Sequence, residues 1–116
     1  PGFILKDGAP QSAFGVMGGH MQPQGHMQTA VRMIDFGENP QAALDGPRFR
    51  VEQGLEVDLE PWTPGDVRSE LAARGHKLKE NKDSYMDFGS GQIIWKTPDG
   101  YITGSDPRRD GCAVGF

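Results

Sequence analysis

The sequence lacks the features that mark several classes of protein. Its single cysteine, Cys112, excludes an internal disulfide and a cysteine-based zinc site. No apolar run approaches the roughly 18 residues of a membrane-spanning helix. No basic run is longer than Arg108–Arg109, and the net charge is −4. Nucleic acid and anionic membranes are therefore poor partners for this chain.

Glycine, in contrast, is abundant. The 116 residues include 17 glycines and 9 prolines, which predicts many turns and close approaches of the backbone. Long stretches of periodic apolar residues separate them, so we expect one folded domain over residues 1–116. The chain opens on Pro1 without an initiator Met, and residues 3–5 are already typical of a strand. We therefore expect a piece of a longer protein.

The N-terminal segment predicts a β-hairpin. Asp7 and Gly8 form a strong turn signal, because both tolerate a positive φ. The flanking segments, Phe3–Lys6 and Gln11–Met17, are the two predicted strands. The paired glycines that follow, Gly18 and Gly19, end the second strand in a loop.

Three helices are predicted after this hairpin. Pro23 favours the start of the first, and its buried face is expected to carry the apolar residues at helical spacing, which are Met27, Ala30, Val31 and Ile34. Asn39 and Pro40 predict the start of a short second helix that ends near Asp45. The third follows Pro64, with a buried stripe of Val67, Leu71 and Ala72.

The remaining segments predict strands and a turn-rich connection. Residues 79–90 are polar and rich in turn formers. The predicted strands are 49–51, 55–59, 92–96, 101–105 and 113–116. The order of strand, helix and strand indicates an α+β fold, with helices on one face of a mostly antiparallel sheet.

The glycine loop is the first candidate for chemistry. Gly18 and Gly19 expose backbone N–H groups with no side chain in the way. Such a loop can bind a developing negative charge, as an oxyanion hole does. The alternative is that the pair only makes a tight turn.

The same segment contains histidine and methionine, which are soft ligands that suit Cu(I). The residues are Met17, His20, Met21, His26 and Met27. His20 and His26 lie six residues apart with Pro23 between them, which is neither a helical nor a hairpin ligand spacing. A non-catalytic copper-binding module is the alternative that this pattern leaves open.

The sequence shows no nucleophile with an adjacent base. None of its serines lies in a Gly-x-Ser-x-Gly elbow, and nothing around Cys112 indicates an activated thiol. Arg108 is expected to pair with Asp106 or Asp110 in a solvated turn, where an ion pair contributes little.

Read in order, several segments resemble the γ-glutamyltransferase (γ-glutamyltranspeptidase) family over nearly the whole chain. Residues 1–8 (PGFILKDG) are similar to the strand and turn before its glycine loop, and residues 15–19 (GVMGG) to its Gly-Ser-Pro-Gly-Gly motif. Residues 36–49 (FGENPQAALDGPRF) resemble the stretch that leads into its Ala-Pro-Arg-Phe. Residues 104–108 (GSDPR) and 113–116 (AVGF) resemble its C-terminal signature. Four such segments in the right order make the resemblance specific.

The resemblance implies a fold and a set of partners. The chain would be the C-terminal part of the small subunit of an N-terminal-nucleophile hydrolase, within an αββα sandwich. Its partners would be the large N-terminal subunit, the first part of the small subunit and a small γ-glutamyl or acyl substrate. No metal or organic cofactor is implied. The compartment, bacterial cytoplasm or periplasm, stays open.

The resemblance also implies a mechanism. Family members cleave themselves and expose a Thr that attacks γ-glutamyl amides such as glutathione, then pass the acyl group to water or an amino acid. Gly18 and Gly19 would hold the oxyanion, while Val16, Met17 and His20 would contact substrate. Residue 1 is Pro, so the nucleophile is expected upstream and the chain alone is expected to be inactive.

One departure from the family pattern leaves the substrate open. The Ser-Pro pair of the family motif is replaced by Val16-Met17, which removes a hydroxyl and adds apolar bulk beside the glycine loop. A related acylase with a different acyl donor is therefore an alternative. So is a structural subunit of a family member that has lost its catalysis.

Overall fold

The computed structural model describes residues 1–115, which form two sheets and four α-helices. The strands are β1 (Gly2–Lys6), β2 (Ala9–Met17), β3 (Phe49–Gln53), β4 (Glu56–Leu59), β5 (Lys77–Glu80), β6 (Ser90–Thr97) and β7 (Gly100–Ser105). The helices are α1 (Gln22–Ile34), α2 (Pro40–Asp45), α3 (Gly65–Ala73) and α4 (Ser84–Asp87). A single 3₁₀ turn, Gly19–Met21, joins β2 to α1.

The larger sheet is antiparallel, with strand order β1-β2-β6-β7. Its first hairpin turns at Asp7 and Gly8, whose φ values are 52° and 77°, so both residues adopt the left-handed conformation that Asp-Gly favours. The pairing of β2 with β6 ends at Met17 opposite Ser90. The smaller sheet has the order β3-β4-β5, and β4 and β5 are parallel.

Helices α1 and α2 cover one face of the larger sheet. The core between them consists of buried Met33, Ala43, Leu44 and Ile93. Gly91 lets the layers approach closely, because a Cβ there would overlap the Leu44 side chain. Helices on one face of a mostly antiparallel sheet confirm the predicted α+β fold.

The opposite face of the larger sheet is open and apolar. Phe3 on β1, Ala13 on β2 and Ile94 on β6 form one cross-strand row. All three are exposed, and Phe3 and Ile94 retain 62% and 50% of their accessible surface. Bulky apolar side chains in a continuous exposed row are typical of an interaction surface.

Helix α1 lies where it was predicted, but the residues that it buries differ from those predicted. The buried residues of the helix are Gly25, Gln28, Thr29 and Met33. The predicted face is largely turned outward, with Met27 and Ile34 exposed. Gln28 explains the rotation, since its side chain donates to the Phe49 carbonyl (2.9 Å) and accepts from the Phe49 N–H (3.0 Å). A buried glutamine with both amide groups satisfied can replace an apolar residue.

Three other expectations need correction. Helix α3 forms after Pro64 but buries none of its residues, so the predicted stripe of Val67, Leu71 and Ala72 is wrong. The polar segment 79–90 contains the end of β5 and all of α4, neither of which was predicted from its turn-rich composition. Residues 113–115 form no strand, and Phe116 lies outside the described residues. No helix within residues 1–115 is long and apolar enough to cross a membrane.

Neighbouring residues on α1 test the corrected face. Met33 is 5% exposed and Ile34 is 56% exposed. We expect Met33→Ala to lower the free energy of unfolding by about 2–5 kcal/mol, because it leaves a cavity in the core. Ile34→Ala should change it by less than ~1 kcal/mol. Urea unfolding followed by circular dichroism measures both free energies of unfolding. A larger decrease for Ile34→Ala than for Met33→Ala would contradict the corrected face and support the face expected from the sequence.

Candidate active site

The glycine loop begins where β2 ends at Met17. Gly18 and Gly19 have φ values of 132° and 56°, a range that favours glycine because a Cβ would clash with the backbone. Met21 is buried and its N–H donates to the Gly18 carbonyl at 3.0 Å, which closes the turn. Within residues 1–115, neither the Gly18 N–H nor the Gly19 N–H donates a hydrogen bond to another residue. Both N–H groups are therefore free to bind a ligand.

A second glycine loop supports the first. A Cβ on Gly18 would lie 3.0 Å from the Cα of Gly89, so the two backbones are in direct contact. Gly89 has φ 69°, and a Cβ there would overlap the carbonyl oxygen of Met17. Neither position has room for a side chain, and the shape of one loop determines the shape of the other.

Arg48 holds the second loop, residues 88–91, through hydrogen bonds to its backbone. Its Nη1 donates to the carbonyl oxygens of Phe88 (3.1 Å) and Gly89 (3.0 Å). Its Nη2 donates to Oδ2 of Asp106 at 2.6 Å, and the same oxygen accepts from the Gly91 N–H at 2.6 Å. Asp106 and Arg48 together thus hold residues 88–91 against the glycine loop.

The pair belongs to a buried network of four charges. Arg108 contacts both oxygens of Glu60, at 2.6 and 2.5 Å, and Oδ1 of Asp106 at 3.1 Å. Glu60 also accepts from the Arg48 N–H at 2.7 Å. The side chains of Arg48, Arg108, Asp106 and Glu60 are all at most 2% exposed. Two cations balance two anions, so the network is neutral as a whole and fully hydrogen-bonded.

The network confirms that Arg108 pairs with Asp106 and corrects the environment that was expected for this pair. Arg108 does pair with Asp106, as predicted, but the pair is buried and not solvated. Asp110 is exposed and has no ion pair to Arg108 within the described part of the chain. Arg48 and Asp106 lie in segments that carry the family resemblance, whereas no sequence signal distinguishes Glu60 or Gly89. Those two residues could be found only from the three-dimensional structure.

The environment of Asp106 favours its ionised form. Burial alone would raise its pKa, but the charges of Arg48 and Arg108 and the hydrogen bond from the Arg108 N–H outweigh that effect. The pKa of Asp106 therefore lies below its ordinary value. At neutral pH Asp106 is therefore charged and pairs with both arginines.

An open cavity of about 850 Å³ lies beside the glycine loop. It is bordered by Met17 and Ser90, the last pair of the β2–β6 ladder, and by His26 and Arg109. The His26 ring packs against Phe14 with 5.3 Å between ring centroids. Burial lowers the pKa of His26, and a hydrogen bond to the Val16 backbone opposes that effect. His26 is therefore biased toward its neutral form.

The predicted substrate contacts differ in how accessible they are. Val16 is 1% exposed, and its side chain packs toward α1, where a Cβ on Gly25 would overlap it. Met17 is 56% exposed and lines the cavity. His20 is exposed in the 3₁₀ turn. Met17 and His20 are thus open to a ligand, whereas Val16 reaches the cavity from the side of the core.

The histidines and methionines of residues 17–27 lie in different environments. Met21 is buried, Met27 is exposed on α1, and the His26 ring packs against Phe14 at a tilt of 57°. Within residues 1–115, no group of three or more His, Cys, Asp or Glu side chains is arranged to hold a metal ion. The copper-binding alternative has no additional support from these placements.

A glycine loop after the second strand is the arrangement expected from the family resemblance, whereas the buried Arg–Asp network behind it was not expected. The family model for γ-glutamyltranspeptidase matches residues 1–116. The chain belongs to the γ-glutamyltranspeptidase family.

Individual members of this family and known structures agree with the assignment. The chain is 32% identical over 124 residues to the glutathione hydrolase-like YwrD proenzyme of Bacillus subtilis, covering 100% of this chain and 23% of that protein. The structure of a cephalosporin acylase from Bacillus halodurans matches with a TM-score of 0.90 and 47% identity, over 98% of this chain and 22% of that one. A γ-glutamyltranspeptidase structure from Pseudomonas nitroreducens matches in fold, with a TM-score of 0.85 and 23% identity, over 100% of this chain and 61% of that one.

These matches confirm the predicted fold, that of the N-terminal-nucleophile hydrolases. They also show how much of a relative the chain represents. The chain spans about a quarter or less of the length of the curated proenzymes that it matches, 23% and 20% for two of them.

The two glycines of the loop make a matched pair for substitution. A Cβ on Gly19 would meet nothing within 4 Å, whereas one on Gly18 would press on Gly89 and on Met21 at 3.0 and 3.2 Å. We expect Gly19→Ala to cost about 1 kcal/mol, from its backbone conformation alone. Gly18→Ala should cost more, since steric overlap is added. Denaturant unfolding measures both, and equal losses would contradict the contact between the two loops.

The charge of Asp106 predicts an acid-dependent stability. Because the pKa of Asp106 is lower in the folded chain, its contribution is complete above the unfolded value of about 3.9 and is lost as the pH falls below it. Asp106→Asn should cost on the order of 3–5 kcal/mol at pH 7, since it leaves buried arginines unbalanced. The difference from wild type should shrink below about pH 4.

Unfolding midpoints between pH 2.5 and 7 measure this difference. Asp99→Asn is the control, because Asp99 is exposed in the β6–β7 turn and its substitution should have little effect. A gap between wild type and Asp106→Asn that is constant with pH would contradict the role of the carboxylate charge.

Proposed function

We propose that residues 1–116 form a single domain, the C-terminal segment of the small subunit of a self-processing amide hydrolase, and that Gly18 and Gly19 are its oxyanion hole. The observation that supports this most is the pair of free N–H groups at the end of β2, held in a left-handed conformation by contact with Gly89. An oxyanion hole requires donors that are already oriented before the reaction. Membership of the γ-glutamyltranspeptidase family supports the same assignment.

The chemistry would be acyl transfer through a Thr that lies outside this chain. The Thr hydroxyl oxygen bonds to the amide carbonyl carbon while its proton passes to the Thr amine. The carbonyl oxygen becomes an oxyanion, which the N–H groups of Gly18 and Gly19 stabilise. The C–N bond then breaks, the amine leaves with the proton, and water or an amino acid takes the acyl group. No step of this sequence draws on a metal or an organic cofactor.

The buried network gives the loop the rigidity that such a site needs. Arg48 holds Gly89 through its carbonyl oxygen, and Gly89 contacts Gly18. The N–H groups therefore need no reorganisation as charge develops, which is the source of catalysis by an oxyanion hole. Removing one such donor typically lowers kcat by roughly 10²–10³.

Two acyl donors are candidates. Relatives named glutathione hydrolase favour a γ-glutamyl amide. An acylase with a different donor is favoured by the 47% identity to a cephalosporin acylase and by Met17, which replaces a family proline and lines the cavity. Met17 adds flexible apolar surface where the acyl chain would lie. His20, exposed beside the loop, is a further proposed contact of the substrate.

The rest of the proenzyme would be the partner of this chain. The exposed row of Phe3, Ala13 and Ile94 offers an apolar face for a second sheet, as the αββα sandwich requires. The first part of the small subunit and the large subunit would supply that sheet and the nucleophile. This division explains why the chain by itself would be inactive.

The proposal is tested on the complete proenzyme that carries this chain. We expect it to cleave itself before a Thr and to release p-nitroaniline from a γ-glutamyl or other acyl anilide. Thr→Ala at that position should abolish both reactions. In the processed enzyme, Gly18→Ala should lower kcat by up to roughly 10²–10³, because overlap with Gly89 and Met21 displaces the donors, and Gly19→Ala should lower it less.

The outcomes of this experiment separate the alternatives. Self-cleavage with γ-glutamyl release supports the glutathione hydrolase reading, and self-cleavage with release of other acyl groups only supports the acylase reading. A proenzyme that neither cleaves itself nor releases any acyl group would overturn the catalytic function and favour a structural subunit. Gel electrophoresis and absorbance at 405 nm follow the two reactions.

A further inference from the structure

Two arginines at β3 hold the three consecutive carbonyl oxygens of residues 87–89. Arg48 immediately precedes the strand and Arg50 lies within it, so they are two positions apart and their side chains leave the backbone on the same side. Arg48 donates to the last two carbonyl oxygens of the segment. Nη1 of Arg50 donates to the first, that of Asp87, at 3.1 Å. Every carbonyl oxygen of this segment is thus bound by a guanidinium.

Arg50 also pairs with the side chain of Asp87. Its Nη1 donates to Oδ1 of the carboxylate at 3.0 Å, and Nδ2 of Asn81 donates to Oδ2 at 2.7 Å. The hydrogen bond from Asn81 lowers the pKa of Asp87, burial opposes that effect, and Arg50 adds to the lowering. Asp87 is therefore ionised at neutral pH. Residues 82–86 are mostly exposed, so the contacts at Asp87 are where this segment is attached to the smaller sheet.

Strand β3 is itself held along both edges. One edge pairs with β4. On the other edge, Gln24 accepts from the Val51 N–H at 2.8 Å and donates to the Val51 carbonyl at 3.1 Å. Gln28 makes the same two hydrogen bonds to Phe49. Two side chains one turn apart on α1 thus take the place of a neighbouring strand, and they fix the backbone on either side of Arg50.

These contacts form a closed ring that includes the glycine loop. The loop leads through the 3₁₀ turn into α1, and the two glutamines join α1 to β3. The arginines join β3 to residues 87–89, and Gly89 returns to Gly18 by direct contact between the backbones. A shift of Asp87 is therefore passed to the glycine loop through only two further residues. Arg50 holds the part of the ring that Arg48 does not reach.

We propose that Arg50 is a positioning residue for the glycine loop, acting through the Asp87 carbonyl and residues 87–89 on Gly18. This inference rests on the proposed acyl-transfer function. Arg50 does not line the cavity beside the loop, so it contacts neither the substrate nor the oxyanion. Its contribution is to the orientation of the Gly18 and Gly19 N–H groups, which matters most when the oxyanion forms.

The test is the kinetics of the processed enzyme with two probes. They are γ-glutamyl-p-nitroanilide and glutaryl-p-nitroanilide, which lacks only the α-amino group. With either probe that is cleaved, Arg50→Gln should lower kcat about tenfold and leave KM unchanged, because a misplaced donor weakens binding of the transition state and not of the substrate. Arg50→Lys should recover part of the loss, since an ammonium can still pair with the Asp87 carboxylate.

A matched control uses the other carboxylate that pairs with Arg50. Glu52 lies on β3 itself, so Glu52→Gln removes an ion pair of Arg50 without touching residues 87–89 and should leave kcat and KM unchanged. Asp87→Asn should lower kcat, and it supplies the same test if Arg50→Gln does not fold. The double variant should be no slower than Arg50→Gln alone, because the two residues act through one contact.

Three kinetic results would overturn the inference. Unchanged kcat in Arg50→Gln would show that Arg48 alone positions the segment. A rise in KM without a fall in kcat would assign Arg50 to substrate binding. Losses that add in the double variant with Asp87→Asn would show that Arg50 acts by another route.

Hydrogen–deuterium exchange keeps this inference distinct from the proposed function. The Met21 N–H donates to the Gly18 carbonyl, so its exchange rate reports on the glycine loop. We expect Arg50→Gln to raise that rate several-fold and Glu52→Gln to leave it unchanged. Faster exchange in a protein that releases p-nitroaniline from neither probe would support the positioning of the loop and count against the acyl-transfer function. Release of p-nitroaniline with exchange and kcat unchanged in Arg50→Gln would overturn the inference and leave the function standing.

Discussion

The ion pair between Arg48 and Asp106 is the interaction on which the candidate site depends. It joins the start of β3 to the end of β7, and through Gly89 it reaches the glycine loop at the end of β2. A buried pair of this kind contributes little net stability compared with an apolar pair of the same shape, because both charges lose their hydration. Its role here is geometric, since a guanidinium with three fixed acceptors restricts the arrangement of the surrounding backbone.

The first hairpin of the larger sheet and the helix α2 could be predicted from the sequence because their signals are local. Asp7-Gly8 specifies its hairpin through allowed φ values, and Asn39 caps α2 through its own side chain, which accepts from the Ala42 N–H at 2.9 Å. The face of α1 could not be predicted, because Gln28 is buried only by virtue of Phe49, a residue 21 positions away. The short strand β5 likewise depends on its parallel partner β4, which local composition does not reveal, whereas α4 begins at a local N-cap, Asp83, whose side chain accepts from the Met86 N–H at 3.0 Å.

The residues of the candidate site fall into the same two groups, those that the sequence predicts and those that only the structure reveals. The loop Gly18-Gly19 was found from its residue types and from the family resemblance, whereas its supports were not. Gly89 is recognisable only from the backbone that it touches, and Glu60 looks like a solvated acid until Arg108 is placed beside it. Residues that bind substrate or its oxyanion carry chemical signals in the sequence. Residues that position them depend on long-range geometry.

The sequence separation within the buried network has a consequence for the order of folding. Its members come from residues 48, 60, 106 and 108, and the backbone groups that Arg108 binds lie 62 and 64 residues earlier in the chain. Contacts of such long range form late, because a large loop must close before they contribute. During synthesis from the N-terminus, Arg48 and Glu60 emerge long before their partners and stay hydrated. We therefore expect the glycine loop at residues 18–19 to acquire its final shape only after residue 108 has left the ribosome.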